Sequence, residues 1–184
     1  MQKVSKYKTA SAYAIAWLEA SIDKGVADKV FDEVLVLRDA VKENMGLWTI
    51  LSAPVDDNNE KLKIITDLAK KSKLSDISCE SLKLITENNR LNILKIILDE
   101  FVHSYYQNKG IVEINVETAV DLSAKQDKKL KDALEKKLNS PVVINYQINN
   151  EILGGLKISY NSFLFDDSLI GKLNRIERLL KQES

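Results

Sequence analysis

The stretch "YQNKGIVEINVETAV", residues 106–120, is where the chain changes period. Before Gly110, apolar side chains recur every three or four residues, the spacing of one helix face. After it, Val112, Ile114, Val116, Thr118 and Val120 alternate with Glu113, Asn115 and Glu117, the pattern of a half-buried strand. Gly110 itself suits a helix C-terminus, where left-handed backbone is needed and a Cβ is unwelcome. The change predicts an N-terminal all-α six-helix bundle over residues 1–108 and a small α+β C-terminal domain over residues 109–184.

Working back from Gly110, "RLNILKIILDEFVHSYYQNKG" and "DISCESLKLITENN" read as the sixth and fifth helices. The loop "SAPVDDNNE" offers Asp and Asn caps to a fourth, "EKLKIITDLAKKS". A short helical piece falls at residues 47–51. Helix two covers Ala27–Glu43, with Val30, Val34, Leu37 and Val41 in one stripe, and helix one covers Thr9–Lys24. Working forward, Ser123 and Gln126 form a capping box ahead of a helix whose stripe is Leu130, Ala133, Leu134 and Leu138, and Pro141 stops it. "VVINYQIN" places Val142, Ile144, Tyr146 and Ile148 on one face, and "LKISY" does the same with Leu156, Ile158 and Tyr160. "NS", residues 161–162, predicts a tight turn before "FLF". Asp167 or Ser168 then caps a last helix with Leu169, Leu173, Ile176 and Leu180 in a stripe.

Little in the chain carries chemistry. Lys plus Arg and Asp plus Glu number 27 each, so no global field draws the protein to nucleic acid or to an anionic membrane. No run reaches the roughly 20 apolar residues of a membrane span, and "AYAIAWL" reads as part of a helix rather than a signal peptide. A single cysteine, Cys79, excludes an internal disulfide and fits a reducing compartment. With one histidine, His103, a zinc site lacks its ligands. The pairs Asp56–Asp57 and Asp166–Asp167 sit where helix caps are expected. The adjacent Gly154 and Gly155 are followed by an alternating strand and by no Gly-Lys-Ser pattern, so they serve shape at a bend rather than cradling a phosphate. No catalytic residue, cofactor or metal is expected. The charged helix "KQDKKLKDALEKKL" is a solvated face or a patch for a charged partner helix.

Helix one has more apolar surface than one core contact requires. Ile15, Leu18 and Ile22 cluster on one side and are expected to face the core. Tyr13, Ala16, Trp17 and Ala20 lie opposite and are expected to be spare, unless the helix is central and wrapped all round. Helix five divides in a weaker way, with Ile77, Ser81, Leu84 and Asn88 on one side and Leu82, Ile85 and Asn89 on the other. Two such helices side by side would make a groove for a partner helix.

The order of these parts resembles the delta subunit of the bacterial ATP synthase, the oligomycin-sensitivity-conferring protein family. "ILGGLKISYNSFLFDDSLIGKLNRIERLL" carries most of the likeness. "ENNRL", residues 87–91, is similar to the family's Glu-Asn-Gly-Arg-Leu, with Asn89 for the glycine; Asn tolerates a left-handed position. "AYAIAWLEA" and "VETAVDLSAKQDKKLKDALEKKL" add to it, while Asp167 departs from the family's glycine. The resemblance implies a stator part without catalytic residues. Its helical bundle would hold the N-terminal helix of an alpha subunit through Tyr13, Ala16, Trp17 and Ala20 with Ser81, Leu84 and Asn88. Its C-terminal unit would hold the b subunits of the peripheral stalk. Its place would be the cytoplasmic face of the bacterial inner membrane, bound through the complex and not inserted, although a mature organellar form would look the same. The competing expectations are a generic adaptor for some other amphipathic helix and a small nucleotide-binding enzyme built on the α+β unit.

Overall fold

A computed structural model of the chain describes residues 2–53, 58–152, 154–160 and 163–168. The chain divides into two compact units, Met1–Tyr105 and Tyr106–Ser184. The first unit is helical: α1 (Gln2–Asp23), α2 (Ala27–Glu43), α3 (Met45–Ser52), α4 (Asn58–Lys71), α5 (Asp76–Glu87), a 3₁₀ turn over Leu91–Ile93, and α6 (Leu94–Asn108), which runs past the boundary. Helix α1 begins seven residues earlier than its sequence pattern suggests, because polar residues continue a helix once its apolar turns are packed.

After α1 and α5 the chain turns through left-handed residues. Gly25 has φ +70, and the amide of Val26 donates to the Ser21 carbonyl. Asn89 has φ +54, with Asn89 N donating to Thr86 O and Arg90 N to Ile85 O, the pattern a glycine would otherwise serve. The core is made by Val34 and Leu37 of α2, Leu82 and Ile85 of α5, and Leu98 and Phe101 of α6, all fully buried or nearly so. Phe31 stacks on Tyr105 at 4.0 Å between ring centres, and the Tyr105 hydroxyl donates to Asp28 at 2.7 Å, which fastens α6 to the start of α2.

The second unit is α+β. Strand β1 (Val112–Thr118) leads through α7 (Ala124–Leu138) to β2 (Val142–Ile148), and a 3₁₀ turn over Asn150–Ile152 precedes β3 (Leu156–Tyr160) and β4 (Phe163–Asp166). The sheet order is β2-β1-β3-β4. β1 pairs with β2 in parallel, Val112 opposite Val142, and with β3 antiparallel, Val116 opposite Ile158. A parallel pair needs a crossover, and α7 supplies it. The capping box forms: the Ser123 amide donates to Gln126 Oε1 at 3.0 Å and the Gln126 amide to Ser123 Oγ at 3.4 Å. The far end of α7 closes on Asn139 at φ +50. Leu130, Leu134 and Leu138 lie against Ile114, Val116 and Val142, while Ala133 is exposed and no residue of α7 is fully buried. The strand pattern overran at Val120, which is 69 % exposed beyond the end of β1. The turn at residues 161–162 and the last helix read in the sequence, with Leu169, Leu173, Ile176 and Leu180, lie outside the described residues.

Candidate partner-binding face

Gly154 and Gly155 answer to geometry. Gly155 has φ +84, and a Cβ built on it would stand 2.5 Å from the Asp167 carbonyl oxygen and 3.0 Å from Ser168 Cα. The close approach lies where the start of β3 meets the end of β4, and there the Asp167 amide donates to Leu156 O at 3.1 Å. The concavity a phosphate would need is filled by the chain's own backbone.

No group of three or more His, Cys, Asp or Glu side chains that could hold a metal ion occurs among the described residues. Cys79 is half-buried, and its thiol is pushed up by burial, then by the negative charges of Asp76, Glu33 and Glu80, so it is a poor nucleophile. It lines a groove of about 570 Å³ between α4 and α5 with Leu62, Ile65, Ala69 and Leu74, and with Lys73 and Lys83 at the rim. The sequence reading did not anticipate that groove. His103 is exposed on α6.

Helix α1 turns a different side to the core than its hydrophobicity suggests. Ile15 and Ile22, expected inside, are 43 % and 40 % exposed; only Leu18 of that trio is buried. Trp17, expected on the spare face, is 2 % exposed and packs edge-on to Phe101 at 5.4 Å and 60°. Around it Ala10, Ala14 and Ser21 are fully buried. The reason is size, and it prevails although the buried indole N–H of Trp17 has no acceptor among the described residues. Small residues let neighbouring helices approach, and the indole fills the room they leave. Ser21 is buried at little cost because its hydroxyl donates to the backbone carbonyls of Trp17 and Leu18.

Of the residues singled out for a partner, Ala16 and Ala20 are exposed on α1 and Tyr13 is half-buried. On α5, Leu84 is 52 % exposed, Asn88 is exposed and Ser81 half-buried, while Ile77, grouped with them in the sequence reading, is 6 % exposed and belongs to the core with Leu82 and Ile85. The Asn88 amide folds back to donate to Leu84 O at 2.8 Å. Helices α1 and α5 touch each other, so the small-residue edge of one and the Leu84 edge of the other are carried on adjoining elements. Among the described residues no helix is long and apolar enough to cross a membrane.

Comparison with known proteins bears on the whole length. The family model described as ATP synthase delta (OSCP) subunit matches residues 9–180. ATP synthase subunit delta of Rickettsia conorii is 33 % identical over 169 residues, covering 92 % of each chain. The subunit delta of Rickettsia canadensis is 32 % identical over 170 residues, again 92 % of each. In the cryo-EM structure of the Toxoplasma gondii mitochondrial ATP synthase hexamer, one chain superposes with a TM-score of 0.76 at 21 % identity, over 93 % of this chain and 96 % of that one, a likeness of fold. With a family match over residues 9–180 and relatives covered over 92 % of their length, the protein belongs to the ATP synthase delta (OSCP) family, as a non-catalytic, stator-linking subunit of that complex.

Proposed function

We propose that the helices of the first unit act as a six-helix bundle over residues 1–108 that holds the N-terminal helix of an alpha subunit. The unit over residues 109–184 holds the b subunits of the peripheral stalk. The protein then works on the cytoplasmic face of the bacterial inner membrane, attached through the complex. The observation that carries the first contact is the pair of spare edges on touching helices: Ala16 and Ala20 with the flank of Tyr13 on α1, and Leu84, Asn88 and the flank of Ser81 on α5. Small residues let a partner backbone come close, and an exposed leucine gives it one apolar anchor. Trp17 supports this face from beneath and does not touch the partner.

The test is calorimetric titration of a synthetic alpha-subunit N-terminal peptide into the full chain, the Leu84→Asp variant and the Ala16→Asp variant. One-to-one binding by the wild type, lost by at least tenfold in both variants with unchanged melting temperatures, supports the reading. Equal binding by all three refutes this face. Absence of wild-type binding at tens of micromolar favours an adaptor for another amphipathic helix.

A further inference from the structure

Glu33 is an acidic residue on α2 that the fold hides: it is 8 % exposed. Its carboxylate reaches across to the start of α5. Oε1 accepts the backbone amide of Ser75 at 2.8 Å, and Oε2 accepts the hydroxyls of Ser75 at 2.7 Å and Ser78 at 2.5 Å. Ser75 is the N-cap of α5, its own oxygen accepting the Ser78 amide, and Ser78 is fully buried. One side chain therefore engages the cap residue, the cap's backbone and the first turn of the helix. A carboxylate at that place also meets the positive end of the α5 dipole. Donors that lose an acceptor inside a protein are costly, so the arrangement holds as a unit.

We propose that Glu33 is a positioning residue for the partner-binding face, a role that rests on the reading given under Proposed function. Helix α5 is a rod of 12 residues, pinned by Glu33 at its first turn, with Leu84 in its distal half and Asn88 as its C-cap. Ser78 and Leu84 are separated by roughly 9 Å along the axis at 1.5 Å per residue, so a small tilt at the pinned end moves Leu84 relative to α1 by an ångström or more. The carboxylate fixes that tilt from a third helix, α2, which contacts both α1 and α5. Glu33 thereby sets the spacing of the two edges without touching the partner.

The experiment uses the full chain and the variants Glu33→Ala, Glu33→Gln and Ser78→Ala, at a temperature where circular dichroism shows each fully folded. Two readouts are taken: affinity for the alpha-subunit N-terminal peptide, and amide hydrogen exchange helix by helix. Expected for Glu33→Ala is at least tenfold weaker peptide binding and faster exchange over residues 76–88, with exchange in α6 unchanged. Glu33→Gln, which keeps one acceptor oxygen, should fall between it and the wild type. Unchanged affinity and unchanged α5 exchange in folded Glu33→Ala overturn the proposal, as does equal acceleration in α5 and α6, which marks a merely structural residue. If Glu33→Ala does not fold, Glu33→Gln and Ser78→Ala decide by the same two readouts. If the wild type does not bind the peptide, the partner reading fails, and the selectivity of exchange in α5 still decides whether Glu33 positions that helix.

Discussion

The two units hold themselves together by different means. The helical unit buries large side chains from several elements: Phe101, Leu37, Leu82, Ile97 and Leu98 are shut away from solvent, and aromatic contacts tie α6 to α1 and α2. In the C-terminal unit the buried cluster is Ile114, Val116 and Val142, covered by half-buried leucines of α7. The same sheet face leaves Phe163 at 78 % and Phe165 at 59 % exposure on β4. On its opposite face Asn149 donates to Glu117 and Lys157 lies within 4.0 Å of the same glutamate, with Leu164 61 % exposed on the same side. The first unit relies on packing. The second relies more on strand pairing, turn geometry and caps, and it keeps apolar surface for something else to cover.

The comparison predicts where damage should be worst. Phe101→Ala removes the ring beneath Trp17 and should cost about 3–5 kcal/mol, read as a lowered midpoint in urea denaturation. A loss below 1 kcal/mol would mean that the helical core is looser than its burial suggests. Next, Gly155→Ala drives a Cβ into the Asp167 carbonyl from left-handed backbone and should cost about 3 kcal/mol, combining strain and overpacking. Limited proteolysis should then accelerate within residues 106–184 and not within residues 1–105. Equal acceleration in both would break the contrast between the units. Ser123→Ala removes one half of the capping box and should cost about 1 kcal/mol, with faster exchange at the first turn of α7.

The smallest expected effect concerns pH. The Tyr146 phenol is pushed up by burial and by its hydrogen bond to Asp127, whose negative charge adds to the shift. A raised folded value means that the protonated ring favours the fold. Its contribution is complete below about pH 10, the ordinary value for tyrosine, and disappears as pH climbs past the folded one. Tyr146→Phe should therefore lose less stability than the wild type between neutral pH and strongly alkaline pH. Parallel curves would remove Tyr146 from the account. The ring is 43 % exposed, so solvent keeps the effect modest.

Period was the readable quantity. The switch at Gly110 placed β1, the spacing of Ser123 and Gln126 placed the start of α7, and Asn89 in the family's glycine position foretold its left-handed backbone. What periodicity could not show was which side of α1 faces inward. Hydrophobicity weights Ile15 and Ile22 above Ala10, Ala14 and Ser21, whereas packing rewards the small set for the space it gives Trp17. The exposure of Leu84 was legible from its place away from Leu82, whereas Ile77, grouped with it, enters the core. Glu33 was not legible. On the sequence it is one acidic residue in a charged helix, and its partners Ser75 and Ser78 lie 42 and 45 positions away.

The inward turn of Trp17 also divides the chain optically. Both tryptophans, Trp17 and Trp48, belong to the helical unit, one buried and the other half-buried, and the C-terminal unit has tyrosines and phenylalanines alone. Excited at the red edge, the protein reports on one of its halves and is silent about the other. A blue-shifted emission that survives while the ellipticity of the sheet decays would be the signature of a chain whose halves melt in turn, recorded without any label.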